Sequence, residues 1–180
     1  GRYDVIVIGA GPSGSVAATS LANNGYRVLI LEQQHFPRFS IGESLLPQSM
    51  EFLEQAGMLQ AVVEAGFQYK NGAAFCRGHE YDYFDFRQKF SGGWGTTYQV
   101  QRSRFDKTLA DVAEQRGVEI RYGQTVTAVD QCESHIAVEV QPEQGEAYRV
   151  SAAFLLDGSG FGRVLPRLLN LEKASQLGTR

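Results

Sequence analysis

The chain opens with a glycine-rich turn that directly follows a short run of β-branched residues. Tyr3 to Ile8 is an apolar run typical of a strand buried on both faces of a parallel sheet. The sequence Gly-Ala-Gly-Pro-Ser-Gly follows at 9–14, and the alanine-rich stretch from Ser13 to Asn24 predicts a helix. Arg27 to Leu31 predicts a second buried strand. These elements predict a βαβ unit, in which a right-handed crossover brings two parallel strands side by side.

The glycines of this turn have the spacing of a dinucleotide-binding motif. Gly9 permits a tight turn, Gly11 lets the backbone approach a diphosphate, and Gly14 lets the helix pack on the strand. Glu32 closes the second strand, where a carboxylate accepts hydrogen bonds from an adenosine ribose. The order of elements predicts dinucleotide binding, and the alternative is a glycine turn with a structural role only. The predicted cofactor contacts here are Gly9, Gly11, Pro12, Ser13, Gly14 and Glu32.

The middle of the chain predicts two helices and an inserted layer of strands. Ser44 is expected to cap a helix that runs to about Gln55. The aromatic, alternating texture of 66–101 predicts antiparallel strands outside the parallel sheet, at the start of a substrate-side layer. The residues 103–106 have the spacing of a capping box, and the apolar stripe that begins at Phe105 predicts an amphipathic helix.

The last third predicts a return to the main sheet and a meander. Val118 to Tyr122 predicts a further parallel strand, and 125–130, 136–140 and 148–151 predict a three-stranded meander. Phe154 to Leu156 predicts another buried strand, which delivers Asp157 to its carboxyl end. We therefore expect an α/β fold: a Rossmann-like parallel sheet with a βαβ dinucleotide-binding unit, a three-stranded β-meander and an inserted antiparallel β layer.

Composition argues against several classes of function. With 17 Lys plus Arg against 20 Asp plus Glu, the net charge is −3, so no global positive field favours a nucleic acid. Three dispersed histidines have no partner at ligand spacing, and we expect no metal site. Cys76 and Cys132 lie outside any disulfide or zinc spacing, which predicts partly buried free thiols in a reducing compartment. No apolar run reaches the roughly 20 residues of a membrane span, and no signal peptide is visible, so we expect a cytoplasmic protein.

Several segments together resemble the FAD-binding half of flavin-dependent monooxygenases, geranylgeranyl reductases and flavin-dependent halogenases. They are 9–14, Glu32, Asp157-Gly158 with Arg163, and Arg102-Ser-Arg-Phe-Asp106. The segment 36–47, Phe-Pro-Arg-Phe-Ser-Ile-Gly-Glu-Ser-Leu-Leu-Pro, is most similar to halogenases that act on phenolic, pyrrolic or carrier-tethered substrates. The resemblance covers essentially all 180 residues. It implies FAD as cofactor, FADH2 in turnover, and chloride or bromide as co-substrate.

The resemblance also implies particular cofactor contacts. The segment 42–44 would lie at a helix N-terminus beside the flavin, and Arg38 would meet the cofactor or close its pocket. Backbone atoms of Val126 would meet the adenine, and Asp157 would lie against the ribityl chain and diphosphate. The alternatives are a capping serine, solvated charges and a solvated turn. The contacts implied in this way are Arg38, Gly42, Glu43, Ser44, Arg102, Val126 and Asp157.

Lys70 is the predicted catalytic residue. The segment 67–75, Phe-Gln-Tyr-Lys-Asn-Gly-Ala-Ala-Phe, resembles the halogenase segment that carries a catalytic lysine. In that family reduced FAD reacts with oxygen, a halide becomes hypohalous acid, and the lysine forms a haloamine or hydrogen-bonds the oxidant. Aromatic neighbours at Phe67, Tyr69 and Phe75 would desolvate the amine and favour its neutral, nucleophilic form. The alternative is a solvated surface lysine.

The family carries later segments that these 180 residues lack. A second Gly-Asp segment and a Trp-x-Trp-x-x-Pro stretch are both missing, so we interpret 1–180 as the amino-terminal FAD-binding portion of a longer flavoprotein. Alone, the chain is expected to bind FAD weakly and to turn nothing over. A second nucleotide motif for a nicotinamide is also missing, which predicts a separate flavin reductase as partner.

The sequence leaves three functions open. The first is halogenation of a small aromatic substrate that is free or tethered to a carrier protein. The second keeps FAD but performs aromatic hydroxylation or reduces an isoprenoid double bond, with Lys70 incidental. The third is an FAD-binding module without catalysis of its own.

Overall fold

In the computed structural model of the protein, which describes residues 2–174, a parallel βαβ unit opens the chain as predicted. Strand β1 (Tyr3–Ile8) leads through the glycine turn to helix α1 (Pro12–Asn23) and then to strand β2 (Val28–Glu32). The two strands pair in parallel, with Val5 opposite Val28. All five residues of β2 are buried, which explains why both faces of this strand are apolar.

The inserted segment forms antiparallel pairs apart from the main sheet, which confirms the predicted layer. In this region the segments 68–70 and 97–99 pair with each other, and the segments 72–77 and 80–85 pair as a hairpin. The elements of this region are α2 (Gln48–Gln55), α3 (Leu59–Glu64), β3 (Gln68–Lys70), β4 (Gly72–Arg77), β5 (Glu80–Asp85), β6 (Thr97–Gln99) and α4 (Arg102–Gln115).

Two predicted helix caps are wrong. Helix α2 begins at Gln48, and Ser44 instead forms an antiparallel bridge with Gln99. The reason is that backbone bonds to β6 hold the segment 43–45 extended, so Ser44 lies too far before the helix to cap it. Helix α4 begins at Arg102 without a side-chain cap, although its predicted apolar stripe is buried. Asp106 is drawn to arginine side chains instead of the helix terminus.

The main sheet is completed by β7 (Glu119–Tyr122), β8 (Gln124–Gln131), β9 (Ile136–Pro142) and β10 (Tyr148–Asp157). Within residues 2–174 its order is β7-β2-β1-β10-β9-β8. The strands β8, β9 and the first half of β10 form the predicted meander, while β7 pairs in parallel with β2. A 3₁₀ turn (Gly160–Gly162) and α5 (Val164–Leu168) follow.

The prediction of separate strands at 148–151 and 154–156 is wrong, because β10 is continuous. Ala152 pairs with Ile136 of β9 on one side and with Tyr3 of β1 on the other, so one register serves both the meander and the parallel sheet. Phe154 and Leu156, predicted to be buried, are 68% and 39% exposed. Their β1 partners, Val5 and Val7, pack against α1. Phe154 and Leu156 themselves belong to none of the buried clusters in the described chain.

Alternate residues of β1 and β2 enter two core layers. Ile6 and Leu29 pack against the meander, whereas Val7 and Ile30 pack against α1 and α4. Burial of each such side chain contributes roughly 1.5–3 kcal/mol. A third cluster joins α2, α3, β6 and the apolar face of α4. These layers hold the carboxyl ends of β1, β2 and β10 at one edge.

Other expectations concern membranes and thiols. In residues 2–174, no helix has the length and apolar character needed to cross a bilayer. Cys76 and Cys132 are free, as predicted, but both are exposed and the expectation of partly buried thiols is wrong. Cys76 lies on the β4–β5 hairpin, whose residues are largely exposed, which explains the difference.

Candidate functional site

A cleft of about 370 Å³ lies at the carboxyl ends of β1, β2 and β10. Ligands of open α/β sheets bind at this edge, and small-molecule sites measure roughly 300–1,000 Å³. Of the predicted contacts, the structure brings together Gly9, Gly11, Pro12, Ser13, Glu32, Arg38, Arg102 and Val126 along the cleft wall.

Each glycine of the first turn is required for a different structural reason. Gly9 has a φ of +93°, and a Cβ there would lie 2.8 Å from the carbonyl oxygen of Gly158. A Cβ on Gly14 would lie 2.0 Å from the carbonyl oxygen of Gly9, so Gly14 is needed for packing of α1 on β1 and does not line the cleft. A Cβ on Gly11 would meet only the Arg38 Nη2, at 3.7 Å. Gly11 therefore leaves open space that a ligand can occupy.

The start of α1 fits an anionic group. The helix follows Gly11 with Pro12 in its first turn and has no side-chain cap in the described structure. The N–H groups of Ser13 and Gly14 therefore have no side-chain acceptor in the described structure, and the positive end of the helix dipole lies at the cleft. A diphosphate fits this arrangement, because the missing Cβ of Gly11 lets it approach the backbone.

Glu32 is held at one end of the cleft. Its side chain is buried, and its Oε2 accepts a hydrogen bond from the backbone N–H of Ala10 at 2.8 Å. Its Oε1 accepts from the backbone N–H of Gln34 at 2.9 Å. A carboxylate has about four acceptor positions, so the two oxygens retain capacity for hydroxyl donors of a ribose.

Two arginines on the cleft wall share one buried carboxylate. Asp106 accepts from Arg102 Nε at 2.7 Å and from Arg102 Nη2 at 3.1 Å, and the Arg38 Nη1 lies 3.1 Å from its Oδ2. The Arg38 Nη2 also lies 4.0 Å from Glu32 Oε2. Sequence reasoning missed Asp106 as a site residue. Its spacing of four residues from Arg102 on one helix was the available signal.

The loop after β10 is organised by Asp157. Its Oδ1 accepts from the backbone N–H of Ser159 at 2.9 Å and from the Ser159 hydroxyl at 2.5 Å. Its Oδ2 accepts from the backbone N–H of Leu165 at 2.9 Å. The residues Gly158 to Gly162 line the cleft, whereas Asp157 does not. The carboxylate therefore shapes the loop that faces the cleft.

Lys70 lies beside the segment that continues from the cleft wall. Its Nζ donates to the Ser44 hydroxyl and, at 3.1 Å, to the carbonyl oxygen of Leu45. The Nζ also lies 5.3 Å from the centre of the Phe86 ring. Ile41 lines the cleft three residues before Ser44. Lys70 itself does not line the cleft.

One expectation for this region is wrong. Glu43 and Ser44 lie on an extended segment that follows Gly42 and not at a helix N-terminus, and none of the three lines the cleft. Of the rings predicted to desolvate Lys70, Tyr69 and Phe75 are 53% and 62% exposed, and Phe67 belongs to a buried core cluster. The ring beside the Lys70 Nζ is that of Phe86, because the β4–β5 hairpin returns the chain to Asn71, whose carbonyl accepts a hydrogen bond from the Phe86 N–H.

Between residues 2 and 174, no three or more His, Cys, Asp or Glu side chains are grouped to hold a metal ion. The fold and the cleft define an α/β dinucleotide-binding domain, in which an uncapped helix N-terminus and a buried carboxylate lie at the cleft.

Comparison with known proteins identifies the family within this class. The family model described as an FAD binding domain matches residues 2–168. The chain belongs to this FAD-binding family, and its cofactor is FAD.

Relatives and solved structures are similar over most of this chain. It is 35% identical to a tryptophan 2-halogenase of Chondromyces crocatus over 87% of the chain and 30% of the relative. It is 32% identical to a 1H-pyrrole-2-carbonyl-[peptidyl-carrier protein] brominase of Pseudoalteromonas luteoviolacea over 92% of the chain and 39% of the relative. A crystal structure of a flavoprotein/dehydrogenase from Cytophaga hutchinsonii superposes with a TM-score of 0.93 and 47% identity, over 97% of the chain and 44% of that protein. The chain thus spans less than half the length of each of these proteins.

Proposed function

We propose that residues 1–180 are the amino-terminal FAD-binding portion of a flavin-dependent halogenase, which uses reduced FAD, O2 and chloride or bromide to halogenate an electron-rich aromatic compound. The observation that carries this proposal is the amine of Lys70, held by Ser44 and Leu45 on the segment that continues from the cleft wall at Ile41. Similarity to a tryptophan halogenase and to a pyrrole brominase supports it.

The cleft accounts for cofactor binding in this proposal. The N-terminus of α1 would hold the diphosphate, Glu32 the adenosine ribose, and the backbone of Val126 the adenine. Arg38 and Arg102 would add positive charge along the wall, and the loop shaped by Asp157 would close the other side. The bound, reduced flavin would supply two of the four electrons that reduce O2, and the halide would supply the other two and so become oxidised to hypohalous acid.

Lys70 would transfer the halogen. Its neutral amine attacks the halogen of hypohalous acid, so that an N–halogen bond forms, the O–halogen bond breaks and water leaves. The halogen then passes to an aromatic carbon, and the proton of that carbon returns to the lysine nitrogen. Ser44 and the Leu45 carbonyl would orient the amine during both steps.

The finer partners follow from the same proposal. The substrate is a small phenolic or pyrrolic compound, and the pyrrole brominase supports a carrier-tethered form. A separate flavin reductase would supply FADH2. The exposed free thiols of Cys76 and Cys132 support a reducing compartment, and we place the protein in the cytoplasm.

The test compares Lys70→Ala with Lys107→Ala, a lysine on the outer side of α4 that pairs with Asp111. Each variant of the complete native polypeptide is supplied with FAD, a flavin reductase, NADH, O2 and bromide, with tryptophan, a phenol and a pyrrole as probe substrates. Lys70→Ala should lower brominated product by at least about 100-fold while still oxidising reduced flavin, and Lys107→Ala should retain product. Equal product from both variants contradicts a halogenating role for Lys70. Mass spectrometry of the native polypeptide tests the proposal of a longer chain.

A second candidate function uses the same FAD cofactor but does not include halogenation. Similarity to the flavoprotein/dehydrogenase structure, at 47% identity, favours it. In that case the enzyme hydroxylates an aromatic or reduces an isoprenoid double bond, and Lys70→Ala leaves turnover intact. FAD binding without turnover of any kind would instead favour the third function, a binding module without catalysis.

A further inference from the structure

We propose that Asp106 is a positioning residue for this site: it fixes Arg38 and Arg102 on the cleft wall and, through Arg102, the segment 41–45 that holds Lys70. The effect on Arg38 and Arg102 concerns the FAD-binding cleft, which the family assignment establishes. The link to Lys70 as a reactive amine rests on the proposed function. Asp106 itself touches neither the cleft nor the lysine.

Asp106 is fully buried, so its carboxylate is not a solvated surface charge. Its relative exposure is 0%, and a carboxylate removed from water is strongly destabilising unless it is paired and hydrogen-bonded. Three guanidinium nitrogens meet it: Arg102 Nε at 2.7 Å, Arg102 Nη2 at 3.1 Å and Arg38 Nη1 at 3.1 Å. The pair with Arg102 is bidentate, which fixes the plane of that guanidinium as well as its distance.

One arm of this network reaches the adenosine end of the cleft. Arg38 lies between Asp106 and Glu32, with its Nη2 4.0 Å from the Glu32 Oε2. The same Oε2 accepts from the backbone N–H of Ala10 in the glycine turn. The Arg38 guanidinium also lies 4.7 Å from the centre of the Phe36 ring, which restricts it further. Two carboxylates and one aromatic ring therefore fix the position of the Arg38 guanidinium.

The other arm reaches the lysine. The third nitrogen of Arg102, Nη1, donates to the carbonyl oxygens of Ile41 at 2.6 Å and Gly42 at 3.3 Å. The next residues pair with β6: the backbone N–H of Val100 donates to the Glu43 carbonyl at 2.8 Å, and that of Leu45 donates to the Tyr98 carbonyl at 3.2 Å. This extended segment presents the two acceptors of Lys70 Nζ.

Loss of the negative charge at Asp106 should disturb both arms together. Two guanidinium groups would then face one another in a site of low dielectric without their shared counter-ion. Arg102 would lose its bidentate partner, and its hydrogen bonds to Ile41 and Gly42 would weaken because they would then hold the guanidinium through Nη1 alone. We therefore expect weaker FAD binding and a more accessible Lys70 amine from a single buried substitution.

The experiment measures those two quantities in Asp106→Asn and in the matched control Asp111→Asn, on the outer side of the same helix. FAD affinity is measured by flavin fluorescence titration of the native protein. Lysine accessibility is measured by brief labelling with acetic anhydride and peptide mass spectrometry. Asp106→Asn should weaken FAD binding about tenfold or more and raise Lys70 labelling, with Lys107 unchanged. Asp111→Asn should raise only Lys107 labelling, because it frees that lysine from its partner.

A folded Asp106→Asn whose FAD affinity and Lys70 labelling equal those of the Asp111→Asn variant overturns the proposal. Should Asp106→Asn fail to fold, Arg102→Lys decides, since it keeps the charge and loses the fork that spans Asp106 and Ile41. Raised Lys70 labelling in Arg102→Lys supports the proposal, and wild-type labelling overturns it. FAD affinity and Lys70 labelling are both measured without halogenation. Absence of halogenated product would therefore contradict the proposed function, whereas the role of Asp106 is decided by these two measurements.

Discussion

The carboxylate of Glu32 accepts a hydrogen bond from the backbone N–H of Ala10 at 2.8 Å, which joins the end of β2 to the glycine turn after β1. The contact spans 22 residues of sequence and is buried. One acid therefore shapes the turn where we propose that the diphosphate binds, and it lies where we propose that the ribose binds.

Glu32→Gln should impair both the turn and cofactor binding. A glutamine has one acceptor oxygen and one donor group, so it would set a donor against the N–H of Ala10 or of Gln34. The free energy of unfolding should fall by about 1–3 kcal/mol, and the Kd for FAD should rise about tenfold. Denaturant unfolding without FAD and fluorescence titration measure the two effects. Glu133→Gln, in an exposed turn, is the control; if the two variants behave alike, the role assigned to Glu32 is wrong.

Gly11→Ala and Gly14→Ala should separate binding from stability. A Cβ at Gly11 meets nothing closer than 3.7 Å, so that variant should unfold like the wild type but lose FAD affinity, because its methyl group occupies the approach of the diphosphate. A Cβ at Gly14 would lie 2.0 Å from the Gly9 carbonyl oxygen, so that variant should lose about 3 kcal/mol of stability. Thermal unfolding and FAD titration are compared for both. A Gly11→Ala protein that binds FAD normally would contradict the diphosphate placement.

The parts of the fold that sequence predicted are those governed by local physics. β1, α1 and β2 follow from a β-branched run, three spaced glycines and a second apolar run, and each needs only its own neighbours to be recognised. The amphipathic α4 follows from its 3.6-residue period in the same way.

The errors arise where a distant partner outcompetes a local preference. Ser44 has the residue type of a helix cap, but pairing with β6 holds it extended. Asp106 has the spacing of a capping box, but two arginines, one of them 68 residues earlier at Arg38, satisfy its carboxylate better than helix N–H groups do. The spacing of Arg102 and Asp106 on α4 is a local signal for one of these pairs. No short window of sequence also contains Arg38, so the complete buried charge network was not predictable from local patterns.

The stability of the sheet edge should depend on pH through Glu119. The Tyr3 hydroxyl donates to Glu119 Oε2 at 2.6 Å and, with Arg121 adding to the effect, holds the pKa of that carboxyl below its usual 4.5. Because the folded state binds this proton less readily, the contribution is present above about pH 4.5 and is lost as pH falls through the lowered pKa. Glu119→Gln should remove this part of the acid sensitivity, measured as unfolding free energy between about pH 7 and pH 3. Acid unfolding identical to that of the wild type would contradict it.

Tyr122 should ionise at an unusually high pH in the folded protein. Burial raises its pKa to about 12, and the negative charges of Glu114, Asp111 and Glu32 add to the effect. The centre of its ring lies 5.5 Å from the centre of the Phe36 ring, and Phe36 stands two residues before Arg38 of the cleft wall. Since the folded-state pKa lies above the unfolded value of 10, the contribution to stability is complete below pH 10 and is lost as pH rises towards 12.

The ultraviolet absorbance of tyrosinate, taken as wild type minus Tyr122→Phe, measures this ionisation directly. In the folded protein the difference should titrate near pH 12, whereas in denaturant it should titrate near the ordinary tyrosine value of 10. The denatured pair is the control, because it contains the same tyrosines without their surroundings. A folded-state difference that also titrates near 10 would mean that the ring is solvated, and the packing of Tyr122 against Phe36 beside the cleft would then be wrong.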